Sequence, residues 1–258
     1  MKKPETIGIV GGTGRMGQWF KAFFEKKGYN VLISSRRTSL TAQDLARQAD
    51  VVIVSVPISV TIDTIKEIGP YVRKEALLMD FTSLKQKPVE AMLEYSKAEV
   101  IGAHPLFGPG VNGLKGQVIV LCPARGEEWL PWVKDIFAEA HLEVTTPEEH
   151  DTIMAIVQAL THFLFITFGA TVADLSLLPE TLLRYSTPNF RALWERITNL
   201  TTQNPEIYAS IQFDNPFYQE KVLPMFLKHL ENLKQIILNR DAEAFVEMFK
   251  KIESCCKI

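Results

Sequence analysis

The stretch Thr6-Ile7-Gly8-Ile9-Val10-Gly11-Gly12-Thr13-Gly14-Arg15-Met16-Gly17 joins a short β-branched run to a glycine-spaced turn of the form GxGxxG. Behind it, Trp19, Phe20, Phe23 and Phe24 recur at helical intervals. The spacing therefore predicts a strand, a tight loop and a helix in immediate succession. In that arrangement Gly12 makes the turn, Gly14 lets a pyrophosphate approach the backbone, and Gly17 lets helix pack on strand. The helix N-terminus offers unpaired N–H donors to an anion. The loop from Gly12 to Gly17, with Thr13, Arg15 and Met16 between its glycines, is thus a candidate dinucleotide site.

Further β-branched runs at residues 31–34, 51–56, 76–80, 100–104 and 118–121 alternate with amphipathic stretches, the pattern of βαβ units. Continuous runs such as Val51-Val52-Ile53-Val54 suit strands covered on both faces. From His150 onward the strand pattern gives way to helical periods at residues 154–172, 188–200, 218–238 and 242–252, punctuated by Pro205, Pro216 and Pro224. The expected fold is α/β: a Rossmann-type doubly wound parallel sheet over residues 1–149, then an all-helical domain over 150–258.

Lys and Arg number 28 against 30 Asp and Glu, a formal charge of −2, and no basic run exceeds Arg36-Arg37. That balance leaves no footprint for a nucleic-acid backbone or an anionic membrane, so neither is an expected partner. Cys122, Cys255 and Cys256 make neither an even disulfide framework nor a metal-ligand spacing. A reducing compartment and no metal are expected. The first apolar run, Ile7 to Val10, is too short for a signal peptide or a membrane span, so the expectation is a soluble cytoplasmic protein.

The end of the second strand bears on which dinucleotide binds, because an acid there accepts the ribose 2′-OH of NAD. Ser34 stands in that place, followed by Ser35-Arg36-Arg37. Small hydroxyls and guanidinium forks suit a 2′-phosphate, so NADP is favoured, with NAD the alternative. Val56 and Pro57 end the third strand and Asp80 through Ser83 leave the fourth, at the carboxyl edge where open α/β sheets bind ligands. Ser83 can face a nicotinamide there, or simply begin the next helix.

Oxidising an alcohol needs a base near the hydroxyl, and neutral histidine suits that role. His104 follows an apolar strand in Ala103-His104-Pro105-Leu106-Phe107-Gly108-Pro109, a loop stiffened by two prolines. His141 and His229 read as solvated residues of polar helices. His150, beside Glu148, Glu149 and Asp151, reads as a capping or interdomain residue. His162, within Gln158-Ala159-Leu160-Thr161-His162-Phe163, reads equally as a buried core histidine or a site residue.

Together the glycine turn, Val54-Ser55-Val56-Pro57, Asp80 through Lys85, the His104–Pro109 loop, Gln117-Val118-Ile119-Val120, Glu149-His150-Asp151 and Gln158 through Phe163 resemble the prephenate dehydrogenase family. The resemblance implies the compact form, without a fused chorismate mutase or regulatory domain. It also implies NAD(P)-dependent oxidative decarboxylation of prephenate to 4-hydroxyphenylpyruvate in tyrosine biosynthesis. By the same resemblance His104 contacts the ring hydroxyl, Ser83 assists it, His162 lies at the substrate side, and the helical domain makes a homodimer. One position departs: six residues before Pro205 the family places an arginine that binds a substrate carboxylate, and here stands Asn199. Arg196, three residues earlier on the same helical face, is the expected replacement, with Arg191 second and Arg184 nearby. Arogenate or 4-amino-4-deoxyprephenate are alternative substrates. Gly11-Gly12-Thr13-Gly14 with Ser35-Arg36-Arg37 also resembles a deazaflavin-dependent NADP reductase. A non-catalytic ligand-binding relative is the alternative from another class.

Overall fold

Alternating β-branched and amphipathic segments become β1 (Thr6–Val10), α1 (Arg15–Lys26), β2 (Asn30–Ser34), α2 (Ala42–Gln48), β3 (Val51–Val54), α3 (Ile58–Ile68), β4 (Leu77–Asp80), α4 (Gln86–Tyr95) and β5 (Glu99–Pro105) in the computed structural model. The structure describes residues 2–256, with side chains through residue 254. After β5 come β6 (Val118–Arg125), α5 (Leu130–Ile136) and β7 (His141–Val144). The seven strands form one sheet in the order β2-β1-β3-β4-β5-β6-β7.

Every residue of β3 and β4 is buried, as expected of central strands covered on both faces. One face packs Phe20 and Phe24 of α1 with Trp132 and Phe137, and the other packs Leu45, Ile65, Ile68 and Met92 from α2, α3 and α4. The reversal of strand order beside β1 brings the ends of β1 and β3 to the crevice where such sheets hold ligands.

The sheet is not wholly parallel. β6 runs antiparallel to β5, pairing His104 with Val120, because residues 106–117 hold no crossover helix and the chain turns back at the carboxyl edge. That return ties down the loop after His104, with Leu106 N donating to Val118 O (2.9 Å) and Trp19 Nε1 to Val111 O (2.8 Å). β7 was absent from the sequence pattern, and His141 begins this strand instead of lying on a helix. Only Leu142 among its four residues is even half-buried, so the periodic signal is too weak to read.

The second part is helical: α6 (Pro147–Met154), a π-helical stretch (Ala155–Leu160), α7 (Thr161–Asp174), α8 (Pro179–Arg184), α9 (Pro188–Thr201), α10 (Pro205–Phe213), a second π stretch (Tyr218–Val222), α11 (Leu223–Leu238) and α12 (Ala242–Cys256). The first three make one continuous helix that begins at Pro147, seven residues before the apolar period at 154. Thr146 caps it by accepting from Glu149 N (3.2 Å), and Pro147 takes the first-turn place that needs no N–H. The apolar pattern misses this first turn because its buried residues include the polar His150 and Asp151, which are directed at the nucleotide-binding half.

Candidate active site

Within the glycine loop, the left-handed residue is Gly11 (φ 86°), not Gly12; both of their N–H groups donate to Ser34 O, at 2.8 and 3.2 Å. Gly12 serves close packing instead: a β-carbon there would fall 2.5 Å from Ile33, and one on Gly17 would fall 2.5 Å from Gly11 O. A β-carbon on Gly14 would meet only Gly11 O, at 3.2 Å, so the space in front of it is open. Gly14 is also the N-cap of α1 and supplies no side-chain cap, so the first-turn N–H groups are left for another acceptor. An open glycine before an uncapped helix N-terminus fits a dinucleotide pyrophosphate.

Beyond β2, Ser34 is buried and its Oγ donates to Leu40 O (3.0 Å). Ser35 Oγ accepts from Arg37 N (3.1 Å), and Thr38 Oγ1 accepts from Ser35 N (2.8 Å). These hydroxyls knot the loop and hold Arg36 and Arg37 outward, exposed and without an ion pair among the described residues. Val56 and Pro57 lie at the exit of β3, where a β-carbon on Gly11 would strike Ser55 O and Val56.

At the same edge, His104 is buried near the end of β5, and His150 and Asp151 arrive from α6. His104 Nδ1 lies 2.9 Å from His150 Nε2, and His150 Nδ1 lies 2.7 Å from Asp151 Oδ1. The Asp151 carboxylate also accepts from Lys85 N (2.8 Å) and Gln86 N (3.0 Å), so it caps α4, whose own N-cap gives no side-chain bond. These contacts set the proton positions. An ionised carboxylate only accepts, so His150 carries its proton on Nδ1 and offers its Nε2 lone pair. His104 must then donate through Nδ1, which leaves its Nε2 as a free base. Gln158 Nε2 lies 3.3 Å from that nitrogen.

Electrostatics keeps this base neutral. Burial first, then the His150 ring and the Lys85 charge, hold the His104 pKa well below the usual histidine value. His150 is also lowered by burial, with Asp151 opposing. Lys85 is fully buried and pairs with Asp80; it also lies 3.3 Å from Thr82 Oγ1, while Thr82 N donates to Asp80 Oδ2 (3.0 Å). Asp80 Oδ1 is buried with no partner among the described residues.

His162 lies one turn beyond Gln158, its ring 4.8 Å from Tyr208 in an edge-on contact. Its Nδ1 is buried without a partner among the described residues, and burial lowers its pKa to about 4. Ser83 sits half-buried in the bend between β4 and α4, and no hydrogen bond among the described residues joins it to His104. Arg191, Arg196 and Asn199 lie exposed along α9. Arg191 donates to Leu183 O (3.0 Å), and Asn199 O accepts from Thr202 Oγ1 (2.8 Å). No described hydrogen bond links these three side chains to the His104 cluster. No group of three His, Cys, Asp or Glu suited to a metal occurs among the described residues.

A glycine loop fitted to a dinucleotide, with a buried histidine at the carboxyl edge beneath a helical second part, defines a Rossmann-type nucleotide-binding protein. Residues 27–146 match the model of the prephenate dehydrogenase nucleotide-binding domain, and residues 146–251 match that of the prephenate dehydrogenase dimerization domain. The chain belongs to the prephenate dehydrogenase family. It is 36% identical over 267 residues to a probable arogenate/prephenate dehydrogenase of Methanocaldococcus jannaschii, covering 95% of this chain and 60% of that one. It is 33% identical over 248 residues to the T-protein of Haemophilus influenzae, covering 95% and 66%. The chain thus spans about three-fifths to two-thirds of those relatives' length. The fold is shared with a prephenate dehydrogenase from Aquifex aeolicus solved with hydroxyphenyl propionate and NAD+, at a TM-score of 0.76 and 21% identity, covering 98% and 97% of the two chains.

Proposed function

We propose that the chain is an oxidoreductase that uses NADP to oxidise and decarboxylate prephenate to 4-hydroxyphenylpyruvate. The observation that carries this reading is the unprotonated Nε2 of His104, oriented through His150 and Asp151 at the sheet edge that holds the glycine loop. When bound, the nicotinamide supplies the acceptor for the hydride that leaves ring C4. His104 Nε2 takes the proton of the ring hydroxyl, and Ser83 assists at the same edge. The ring carboxylate leaves as CO₂ with aromatisation. Gly12, Thr13, Gly14, Arg15, Met16 and Gly17 hold the pyrophosphate with Val56 and Pro57 beside it, and Ser35, Arg36 and Arg37 hold the 2′-phosphate. His162 lines the substrate side, and Arg196, with Arg191 behind it, holds the substrate carboxylate in place of the arginine missing at Asn199.

The assembly proposed is a homodimer through the helical domain. The helix Pro147–Asp174 is long and apolar enough to cross a membrane by length and composition (mean hydropathy 1.8), yet only 17% of its most apolar window is buried in the single chain. Val157 and Leu164 on this helix, Leu238 on α11 and Phe249 on α12 are exposed apolar side chains of the single chain. A second copy is the occupant that the match to a dimerization domain favours, and His150, Asp151 and Gln158 on the same helix are engaged with the nucleotide-binding half, in keeping with a proposed cytoplasmic enzyme.

Nicotinamide reduction and CO₂ release with prephenate or arogenate, each with NADP and NAD, test the reaction. Equal amounts of reduced cofactor and CO₂ with prephenate and NADP are expected. No turnover of either substrate would overturn the reading, and turnover of arogenate alone would reassign the substrate. Arg196→Ala should raise KM for the substrate at least tenfold, and unchanged kinetics in both Arg196→Ala and Arg191→Ala would remove α9 from carboxylate binding.

A further inference from the structure

We propose that the Gln158 side-chain amide is a second contact at the reacting centre, donating to the oxygen on ring C4 while His104 takes that oxygen's proton. The proposal rests on the dehydrogenase reading above.

Gln158 lies within the π-helical stretch Ala155–Leu160 of the helix Pro147–Asp174. π turns are rare and concentrate where a helix must aim side chains at a functional site. Here the widened helix lets two of its residues address one imidazole from two sides. His150 meets Nδ1 of His104 at 2.9 Å, and Gln158 Nε2 meets Nε2 at 3.3 Å. Because Nε2 carries a lone pair, only the NH₂ end of the amide can face it, which fixes the amide's orientation. The other end, Oε1, is buried without a partner among the described residues. The NH₂ end carries two donors, and its one described hydrogen bond, to His104, is long, so the amide can turn a donor to a better acceptor.

A ring hydroxyl suits the NH₂ end, because it is donor and acceptor at once. Displacing the long contact between the two nitrogens, it gives its proton to His104 Nε2 and accepts from Gln158 Nε2–H. As the proton leaves, the oxygen gains negative charge and the amide bond to it strengthens, an arrangement aimed at the transition state in a site sheltered from water. The electrons balance. The C4–H pair departs with its hydrogen to the nicotinamide, and the O–H pair becomes the new C=O bond. The bond to the carboxylate then breaks, its pair enters the ring as CO₂ leaves, and the ring oxygen recovers a proton from His104 to become the phenol.

Gln158→Leu removes the donor at similar size, and Gln158→Met is the second variant should the first fail to fold. With the preferred substrate, kcat should fall roughly 10²-fold while KM changes less than threefold, since the interaction develops in the transition state. The acid limb of kcat/KM should also move to higher pH, because the amide donates to the neutral form of His104. The titratable groups facing that ring, His150 and Asp151 from α6 and Lys85 and Asp80 from the β4–α4 edge, are unchanged. A readout independent of turnover is the ratio of affinities for 4-hydroxyphenylpropionate and phenylpropionate with NADP present. The wild type should prefer the hydroxylated acid, and the variants should lose that preference. Retained preference and near-native kcat overturn the proposal. A wild type that turns over neither prephenate nor arogenate, yet whose preference collapses in the variants, overturns the dehydrogenase reading and leaves the Gln158 contact standing.

Discussion

His104 Nδ1 stands 2.9 Å from His150 Nε2, so a base on the nucleotide-binding sheet is oriented by a residue of the helical domain. Asp151 ties His150 to the nucleotide-binding half, accepting from His150 Nδ1 and from Lys85 N and Gln86 N at the start of α4. The tautomer of His104 and the seating of the two domains are therefore set by the same carboxylate.

Asp151→Asn tests this coupling. An asparagine still accepts from one N–H group at the α4 end, so folding should survive with a loss of about 1 kcal/mol. Its NH₂ can turn toward His150 Nδ1 and favour the opposite tautomer, which places a proton on His150 Nε2 against His104 Nδ1. Turnover should fall roughly 10²–10⁴-fold with KM little changed. Equal kcat in mutant and wild type, measured at saturating substrate, would show that His104 needs no such orientation.

The acid limb of kcat/KM should lie well below pH 6.5, because burial depresses His104 and His150. Stability follows the same sign. The folded chain resists protonation at His104, His150 and His162, whereas the unfolded chain takes protons up near pH 6.5. Their contribution is complete above that value and is lost as pH falls toward about 4, the value for His162. Urea midpoints at pH 7 and pH 5 check it: a lower midpoint at pH 5 is expected, and a higher one contradicts the assignment.

Lys85→Met should destabilise the chain by about 3–5 kcal/mol, since it leaves the buried Asp80 carboxylate without its cation. Adding Asp80→Asn should restore part of that loss by removing the stranded charge. Denaturant titration of the single and double variants measures both steps. A single variant as stable as the wild type would contradict a stabilising role for the buried pair.

Arg36→Ala should raise KM for NADP by about 10–100-fold, the loss of a charge-assisted bond to the 2′-phosphate, and should leave KM for NAD nearly unchanged. Parallel KM determinations decide this. Equal effects on the two cofactors would mean that the guanidinium stays in solvent.

Elements with strong periodicity were legible in the sequence: β1 with its glycine loop, the apolar β3, and the long helices after residue 150. β7 was not, because an edge strand with one half-buried residue carries no alternation. The reversal of β6 was hidden as well, since strand direction depends on whether a helix fills the connection. Of the site, His104 and the open Gly14 could be located from strand ends and glycine spacing. His150 and Asp151 were legible only as polar residues at a domain boundary; that they meet His104 and cap α4 is a tertiary fact. Gln158 was legible only as the first residue of the motif that runs to Phe163, with no role attached, because a π turn leaves no periodicity to read. Its nearest clue was its place four residues before His162.

The most direct test of the account is the initial rate of nicotinamide reduction by wild type and His104→Asn with saturating prephenate and NADP. The account predicts a wild-type rate that falls roughly 10²–10⁴-fold in the variant, with substrate affinity largely kept. A variant that reduces NADP at the wild-type rate would contradict it, because the proton would then be leaving to another group.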